Sequence, residues 1–245
     1  MKDRIRKLLR RAGIEAYRYT VQTSPGAQLH RLLQFCSVDL VFDVGANSGH
    51  YATELRSNGY AGRIVSFEPL AAVHAKLESV ARGDAGWQVA PRMALGEADG
   101  DITIHVAGNS LSSSILDMLP EHERAAPGSA YVANETVPLK RLDHVAGDFL
   151  NGSRRALLKI DTQGYEDRVL TGAQGILPGI IAIQSELSLV PLYAGQPLFD
   201  EMRSRIEAMG FVLFAVFPGY VHEQSGRTLQ IDGFFIRREM AMGDS

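Results

Sequence analysis

The segment Val41–Tyr51, VFDVGANSGHY, constrains this chain more than any other stretch. Val41, Phe42 and Val44 read as a buried strand interrupted only by Asp43, Gly45 and Gly49 bracket a tight bend, and Tyr51–Ser57 takes up a helical pattern. A strand that passes through glycines into a helix leaves backbone N–H groups and the positive end of the helix beside an open crevice. Glycine there permits positive φ and close approach of a ligand to the backbone. The next strand, Arg63–Phe67, ends on Glu68-Pro69, and an acid at the tip of a second parallel strand is placed to hold a ribose diol. These residues predict a nucleoside-bearing cofactor. The bend has neither the spacing nor the lysine of a GxxxxGK[ST] phosphate loop, and Asn47 stands where GxGxxG needs its middle glycine. That glycine makes room for a pyrophosphate, so its absence favours S-adenosylmethionine, which has a ribose and no phosphate.

The remaining chain alternates strands with helices: strand Trp87–Leu95 after helix Ala71–Ala81, strand Ala156–Ile160 delivering Asp161, helix Glu166–Ala173, strand Ile180–Leu187 with Glu186 near its end, and a helix between Gln196 and Met209. Phe211–Phe217 and Thr228–Ile236, joined by Pro218–Arg227, read as an antiparallel hairpin. The pattern predicts a doubly wound α/β fold whose ligands sit beyond the carboxyl ends of the strands, where Asp43, Glu68 and Asp161 all fall. Asp101–Val106 alternates cleanly and is expected to add an antiparallel strand at a sheet edge. Glu121–Asn134 lacks periodicity and reads as a flexible cover.

With 245 residues, a net charge of −3 and one cysteine, Cys36, the chain suits a single large domain, forms no intrachain disulfide, and is not a nucleic-acid binder by composition. A cytoplasmic location is the expectation, since no apolar run approaches the ~20 residues of a membrane span. The division expected is a basic helical extension over residues 1–36 and a catalytic domain over 37–240. In the extension, Ile5, Leu8, Leu9 and Ala12 recur at helical spacing among Lys2, Arg4, Arg6, Lys7, Arg10 and Arg11. Such a helix packs on the domain edge or lies peripherally on the inner face of an anionic membrane.

VFDVGANSGHY, IVSFEP, MALG, LKIDTQGYEDRVLTGA and SELSLVPLYAGQ, in this order, resemble the FkbM family of S-adenosylmethionine-dependent methyltransferases over roughly Val38 to Arg237. The resemblance implies a Rossmann-like class I fold, a mostly parallel seven-stranded sheet with an antiparallel C-terminal hairpin. It implies methyl transfer to a hydroxyl of a sugar, glycolipid or glycosylated natural product, with S-adenosylhomocysteine as product. Carried over, Asp43, Gly45, Ala46 and Asn47 line the methionine end of the cofactor, with Tyr51 added to that set. Glu68 accepts the ribose hydroxyls, Phe67, Pro69, Met93 and Ala94 flank the adenine, and Asp161 faces methyl donor and acceptor. Many relatives carry glutamate where this chain has Gln163, which puts in question any role for a second carboxylate there.

Methylating an alcohol requires alignment of acceptor and methyl donor, and removal of a proton by a base or a metal. Asp161 is the first candidate base, with Glu186 and the hairpin residue His222 behind it. Asp161 also reads as a cofactor ligand or helix cap, Glu186 as a ligand of a substrate hydroxyl, and His222 as a surface histidine. Asp161, Glu186 and Asp232 could together supply oxygen ligands to Mg²⁺, but no close HxxxH or DxD spacing supports a metal. Tyr193 and Gln196 read equally as turn residues or as a cover over an acceptor sugar, and Ser112–Ser114 as a cofactor-carboxylate contact or a polar loop. The rivals are an NAD(P)-dependent oxidoreductase, disfavoured by the missing GxGxxG, and a non-catalytic module with a cofactor-binding fold.

Overall fold

The computed structural model describes residues 7, 9–15, 17–126, 128–150, 152–153 and 155–243. Half of the basic amphipathic pattern expected at the start, namely Lys2, Arg4, Ile5, Arg6 and Leu8, lies outside the described residues. Among the described residues, no helix is long and apolar enough to cross a membrane.

The main sheet is built from β1 (Leu40–Val44), β2 (Arg63–Phe67), β3 (Trp87–Val89), β7 (Ala156–Ile160), β8 (Ile180–Ser188), β9 (Phe211–Pro218) and β10 (Gln230–Arg237). Their order is β3-β2-β1-β7-β8-β10-β9. β3, β2, β1, β7 and β8 pair in parallel. β10 runs antiparallel to β8 and β9 and inserts between them, so the fold is the doubly wound α/β arrangement with an antiparallel C-terminal pair. All five residues of β1 and of β7 are buried, as befits central parallel strands covered on both faces.

One face packs Phe42, Val44, Leu158, Ile160, Ile183 and Phe235. The other packs Val41, Leu157, Ala182, Phe234 and Ile236 under the helix Pro25–Phe35, which contributes Leu29, Leu32 and Leu33. That helix begins on Ser24, whose side chain accepts from the Ala27 N–H, with a proline in its first turn, a favourable N-terminal combination.

The region between residues 87 and 140 departs from two expectations, the single strand Trp87–Leu95 and the flexible cover Glu121–Asn134. Trp87–Leu95 is not one strand: β3 stops at Val89, and Ala94–Leu95 (β4) joins a separate three-stranded sheet. Pro91 lies in the gap, and proline cannot continue the ladder as a donor. β5 (Gly100–Ala107) is an antiparallel edge strand as expected, but of this smaller sheet: it pairs with β6 (Tyr131–Lys140), which pairs parallel with β4. The supposed cover therefore holds the helix Pro120–Ala125 and the start of β6. Periodicity is weak there because only Val137 and Leu139 of β6 are buried. With Leu70, Ala94 and Ile104 they form a small core beside the main sheet.

Candidate active site

Strand register assembles the site. Val44 pairs with Phe67 on one side and Ile160 on the other, so the next residues of the three strands, Gly45, Glu68 and Asp161, come out side by side. Gly45 has φ +75°, and a Cβ there would fall 1.8 Å from the Asp161 carbonyl oxygen. No L side chain fits, so glycine is what lets the bend close against the Asp161 backbone at the cavity wall. Gly49, at φ +84°, is closed to a side chain by Trp87 and Leu77. Asn47 is left-handed as well, at φ 46°.

The Asn47 and Leu70 N–H groups each donate to Glu68 at 2.9 Å, one to each carboxylate oxygen. An ionised carboxylate keeps further acceptor sites on both oxygens, enough for a diol. Burial pushes the Glu68 carboxyl up to about 7 even though these two N–H groups oppose the shift.

The second sheet face changes character along its length. Val41, Leu157, Ala182 and Phe234 make it apolar, and toward the crevice Asp43, Lys159, Gln184 and Glu186 replace them. Register places Asp43 between Ser66 and Lys159. Ser66 Oγ donates to Asp43 Oδ2 at 3.0 Å, and Lys159 Nζ lies 3.2 Å from Asp43 Oδ1 and 3.6 Å from Asp161 Oδ2. The Lys159 ammonium also donates to the Gly45 carbonyl at 3.2 Å and sits over the Tyr51 ring. Burial opposes its charge, but Asp43 and Asp161 outweigh that and hold it well above the ordinary lysine range.

Beyond Lys159, the Gln163 amide Nε2 donates to Asp161 Oδ1 at 2.9 Å and to Glu186 Oε2 at 3.0 Å. Gln230 Nε2 donates to the same Glu186 oxygen at 2.6 Å, and Tyr193 Oη donates to Gln163 Oε1 at 2.8 Å. Glutamine is thus suited to this position: its amide joins two carboxylates that would repel a third. Gln163 is itself left-handed, φ 55°, with its carbonyl held by Ser114 Oγ at 2.7 Å. Buried Glu166 fixes the loop by accepting from the Thr162 and Gly164 N–H groups. Burial, then Asp161, Glu166 and Asp232, push Glu186 well above the ordinary glutamate range. Burial and Asp161 raise Asp232 to about 7.

These groups open onto a cavity of about 370 Å³. Among the expected site residues, Gly45, Asn47, Phe67, Glu68, Pro69, Met93, Ala94, Asp161 and Glu186 line it. Asp43, Ala46 and Tyr51 do not: Asp43 is fully buried in its contacts with Lys159 and Ser66, Ala46 is 3% exposed, and Tyr51 Oη donates to Gln184 Oε1. They support the wall from behind. His222 lies outside the cavity, with Nδ1 2.9 Å from Ser225 Oγ of its own loop. Tyr193 is fully buried, and Gln196 ties its own turn by accepting from the Leu192 N–H and donating to Ser188 Oγ. Ser112–Ser114 line the cavity. Among the described residues no three His, Cys, Asp or Glu side chains are grouped to hold a metal ion.

Two residues escaped the sequence. Lys159 sits in an apolar strand where the charge of Asp43 across the register was its only signal. His122 lines the cavity from a six-residue helix too short for periodicity, and its neighbours Ser112, Tyr193 and Tyr220 are all remote in sequence.

A family model described as "Methyltransferase FkbM domain" matches residues 43–213. No curated protein sequence matches this chain. Among solved structures the chain is similar to the mitomycin 7-O-methyltransferase MmcR, with a TM-score of 0.46 at 10% identity over 86% of this chain and 52% of that one. It spans about half the length of that enzyme. It is similar also to the methyltransferase domain of bacterial CtHen1, with a TM-score of 0.48 at 8% identity over 89% of this chain and 100% of that one. A third is a fibrillarin from Aeropyrum pernix with natively bound S-adenosyl-L-methionine, with a TM-score of 0.46 at 9% identity over 81% and 66%.

Proposed function

The chain belongs to the FkbM family of methyltransferases and is an S-adenosylmethionine-dependent enzyme; from that premise we propose that it methylates a hydroxyl of a neutral, oxygen-rich acceptor, such as a sugar, glycolipid or glycosylated natural product. One observation carries this reading: Asp161 and Glu186 open onto the same cavity as the Gly45 bend and Glu68. An alcohol must lose its proton during transfer, and a carboxylate beside it is the group that takes it.

The cradle suits the cofactor, since the backbone of the Gly45 bend lines the cavity and Glu68 keeps acceptor capacity for a diol. Phe67, Leu70, Met93, Ala94 and Leu95 give an apolar bed for adenine. When bound, S-adenosylmethionine supplies a methyl carbon activated by its sulfonium. Asp161 accepts the proton of the acceptor hydroxyl. Its side chain is 39% exposed, and the amide of Gln163 and the ammonium of Lys159 fix its orientation. Glu186, with its carboxyl pushed well up, holds a neighbouring acceptor oxygen. Asp161, whose carboxylate opens onto the cavity, disfavours an anionic acceptor. The Gln163 amide engages Asp161 Oδ1 and Glu186 Oε2, and no step is assigned to Mg²⁺.

The test is S-adenosylhomocysteine release with a panel of methyl glycosides, phenols and amines. Release with glycosides or other neutral alcohols is expected; turnover confined to amines would overturn the assignment.

Glu68 gives a second expected result. Replacing it with glutamine should weaken S-adenosylhomocysteine binding by about ten- to a hundredfold, the worth of a hydrogen bond to a charged group. A ribose diol favours the ionised form, which has the larger acceptor capacity. With the Glu68 carboxyl at about 7, wild-type affinity should therefore rise from pH 6 to pH 8, by about tenfold at most, and level off above. The glutamine variant should show no such rise. Calorimetry across this pH range measures both, and an unchanged affinity in the variant would remove Glu68 from the ribose site.

A further inference from the structure

We propose that Glu186 selects acceptors with a second oxygen on the carbon next to the methylated hydroxyl: its Oε1 donates a hydrogen bond to that neighbouring oxygen while Asp161 takes the hydroxyl proton. This rests on the acceptor reading above and deepens it, since it gives the hydrogen bond a direction and the site a preference among alcohols.

One amide brings the two carboxyl groups together. Gln163 Nε2 donates to Asp161 Oδ1 at 2.9 Å and to Glu186 Oε2 at 3.0 Å, so they stand within two hydrogen-bond lengths of each other. A pair that close suits two oxygens on adjacent carbons. Glu186 Oε2 is engaged twice, since Gln230 Nε2 also donates to it, at 2.6 Å. Among the described residues nothing donates to Glu186 Oε1, yet it is not one of the partnerless polar atoms sealed from solvent. The side chain is half-buried and lines the cavity, so Oε1 is the oxygen that opens onto it.

Glu186 is placed to keep its proton. Its hydrogen-bond partners are the neutral amides of Gln163 and Gln230, and the Lys159 ammonium is engaged by Asp43 and Asp161 instead. Asp161 is one amide away, and Asp232 stands directly opposite Glu186 in the β8–β10 register. Like charges facing each other across a strand pair are destabilising. Buried Glu166 lies behind the loop Asp161–Gly164, and the Tyr193 hydroxyl meets the pair only through Gln163. Asp161, 39% exposed and 3.6 Å from Lys159, keeps the negative charge. Burial and these carboxylates hold Glu186 well above the ordinary glutamate range against the opposing pull of Lys159. An ionised Asp161 only accepts, so Gln163 turns its NH₂ group toward the pair and Glu186 Oε2 accepts from it. The Glu186 proton is then on Oε1.

The direction of this bond decides what the neighbouring oxygen can be. A carboxylic O–H donates to any oxygen with a lone pair, so a hydroxyl or an ether serves. An ionised Glu186 would need a hydroxyl there, because an ether has no proton to give it. In the transfer the acceptor oxygen gains the methyl carbon, the electron pair of the broken carbon–sulfur bond stays with sulfur, and the hydroxyl proton goes to Asp161. Glu186 keeps its own proton throughout.

The first measurement needs no acceptor. Infrared spectra of the full chain with S-adenosylhomocysteine are taken at pH 8, where Glu68, Glu166 and Asp232, each raised to about 7, are mostly ionised. A protonated-carboxyl carbonyl band is expected that shifts in deuterium oxide, vanishes in Glu186→Gln and persists in Asp161→Asn. Absence of that band would overturn the proposal, since an ionised Glu186 has nothing to donate. The second measurement follows S-adenosylhomocysteine release with cyclohexanol and with its analogues bearing a methoxy group or a hydroxyl on the adjacent carbon. KM for cyclohexanol should exceed that for both analogues by about tenfold, the worth of one hydrogen bond. Glu186→Ala should erase this difference while still binding S-adenosylhomocysteine. Glu186→Gln, whose amide N–H can stand in for the Oε1 proton, should bring most of it back. A methoxy analogue no better than cyclohexanol, beside a well-bound hydroxyl analogue, would overturn the proposal by showing that Glu186 accepts. Equal KM for all three alcohols would overturn it too and leave the hydroxyl reading standing. Turnover confined to amines would mark the failure of that reading instead.

Discussion

Asp161→Asn is expected to lower the turnover of methyl transfer by about 10²- to 10⁴-fold, the range of a positioned general base, while S-adenosylhomocysteine affinity changes by no more than a few-fold. Asparagine is isosteric and can still accept from Gln163 Nε2 through its own Oδ1, the contact that measures 2.9 Å in the native chain. The loop Asp161–Gly164 is held independently by Glu166, and Lys159 keeps its contact with Asp43. The substitution therefore removes the proton acceptor and leaves its supports standing. Steady-state release of S-adenosylhomocysteine measures turnover, and calorimetry measures binding. Equal losses in the two would make Asp161 a cofactor ligand, and the base would then have to be sought at Glu186, which shares the Gln163 amide with it.

Part of this site was legible in the sequence because its geometry follows from strand ends. Once Leu40–Val44, Arg63–Phe67 and Ala156–Ile160 are parallel neighbours, their next residues, Gly45, Glu68 and Asp161, must meet, and each strand showed in the chain as an apolar run. Asp43 lies on the correct strand, but two residues short of its exit at Gly45 and with its side chain fully buried. It points into a buried pair with Lys159, a contact set by register across 116 residues of chain and invisible to any local pattern. The second sheet is hidden from the sequence for a related reason. β5 alternates strongly and reads as a strand, but its partner β6 has only Val137 and Leu139 buried, so nothing in the sequence of β6 announces where β5 pairs. His122 was lost with it, since the helix that carries it is defined by tertiary contacts with Tyr193 and Tyr220 and not by periodicity.

The buried pair also carries the largest expected effect on stability. Lys159 and Asp43 have side-chain exposures of 8% and 0% and stand on adjacent central strands. Lys159→Met should cost about 3–5 kcal/mol, the usual result of removing one partner from a buried ion pair, because Asp43 is left charged and without its cation. Ser66 still donates to Asp43, but one hydrogen bond to a carboxylate, worth about 1.5–3 kcal/mol and already made in the wild type, cannot offset that loss. The double variant Asp43→Asn/Lys159→Met should recover a substantial part of it, since no unpaired charge remains. Urea unfolding of the wild type, both single variants and the double variant completes the cycle. A Lys159→Met cost near zero, or a double variant no more stable than that single, would mean that Asp43 is compensated by something other than Lys159. The ammonium also donates to the carbonyl of Gly45, so the same substitution should loosen the bend and weaken S-adenosylhomocysteine binding, whereas Asp43→Asn, which leaves that contact in place, should weaken it less.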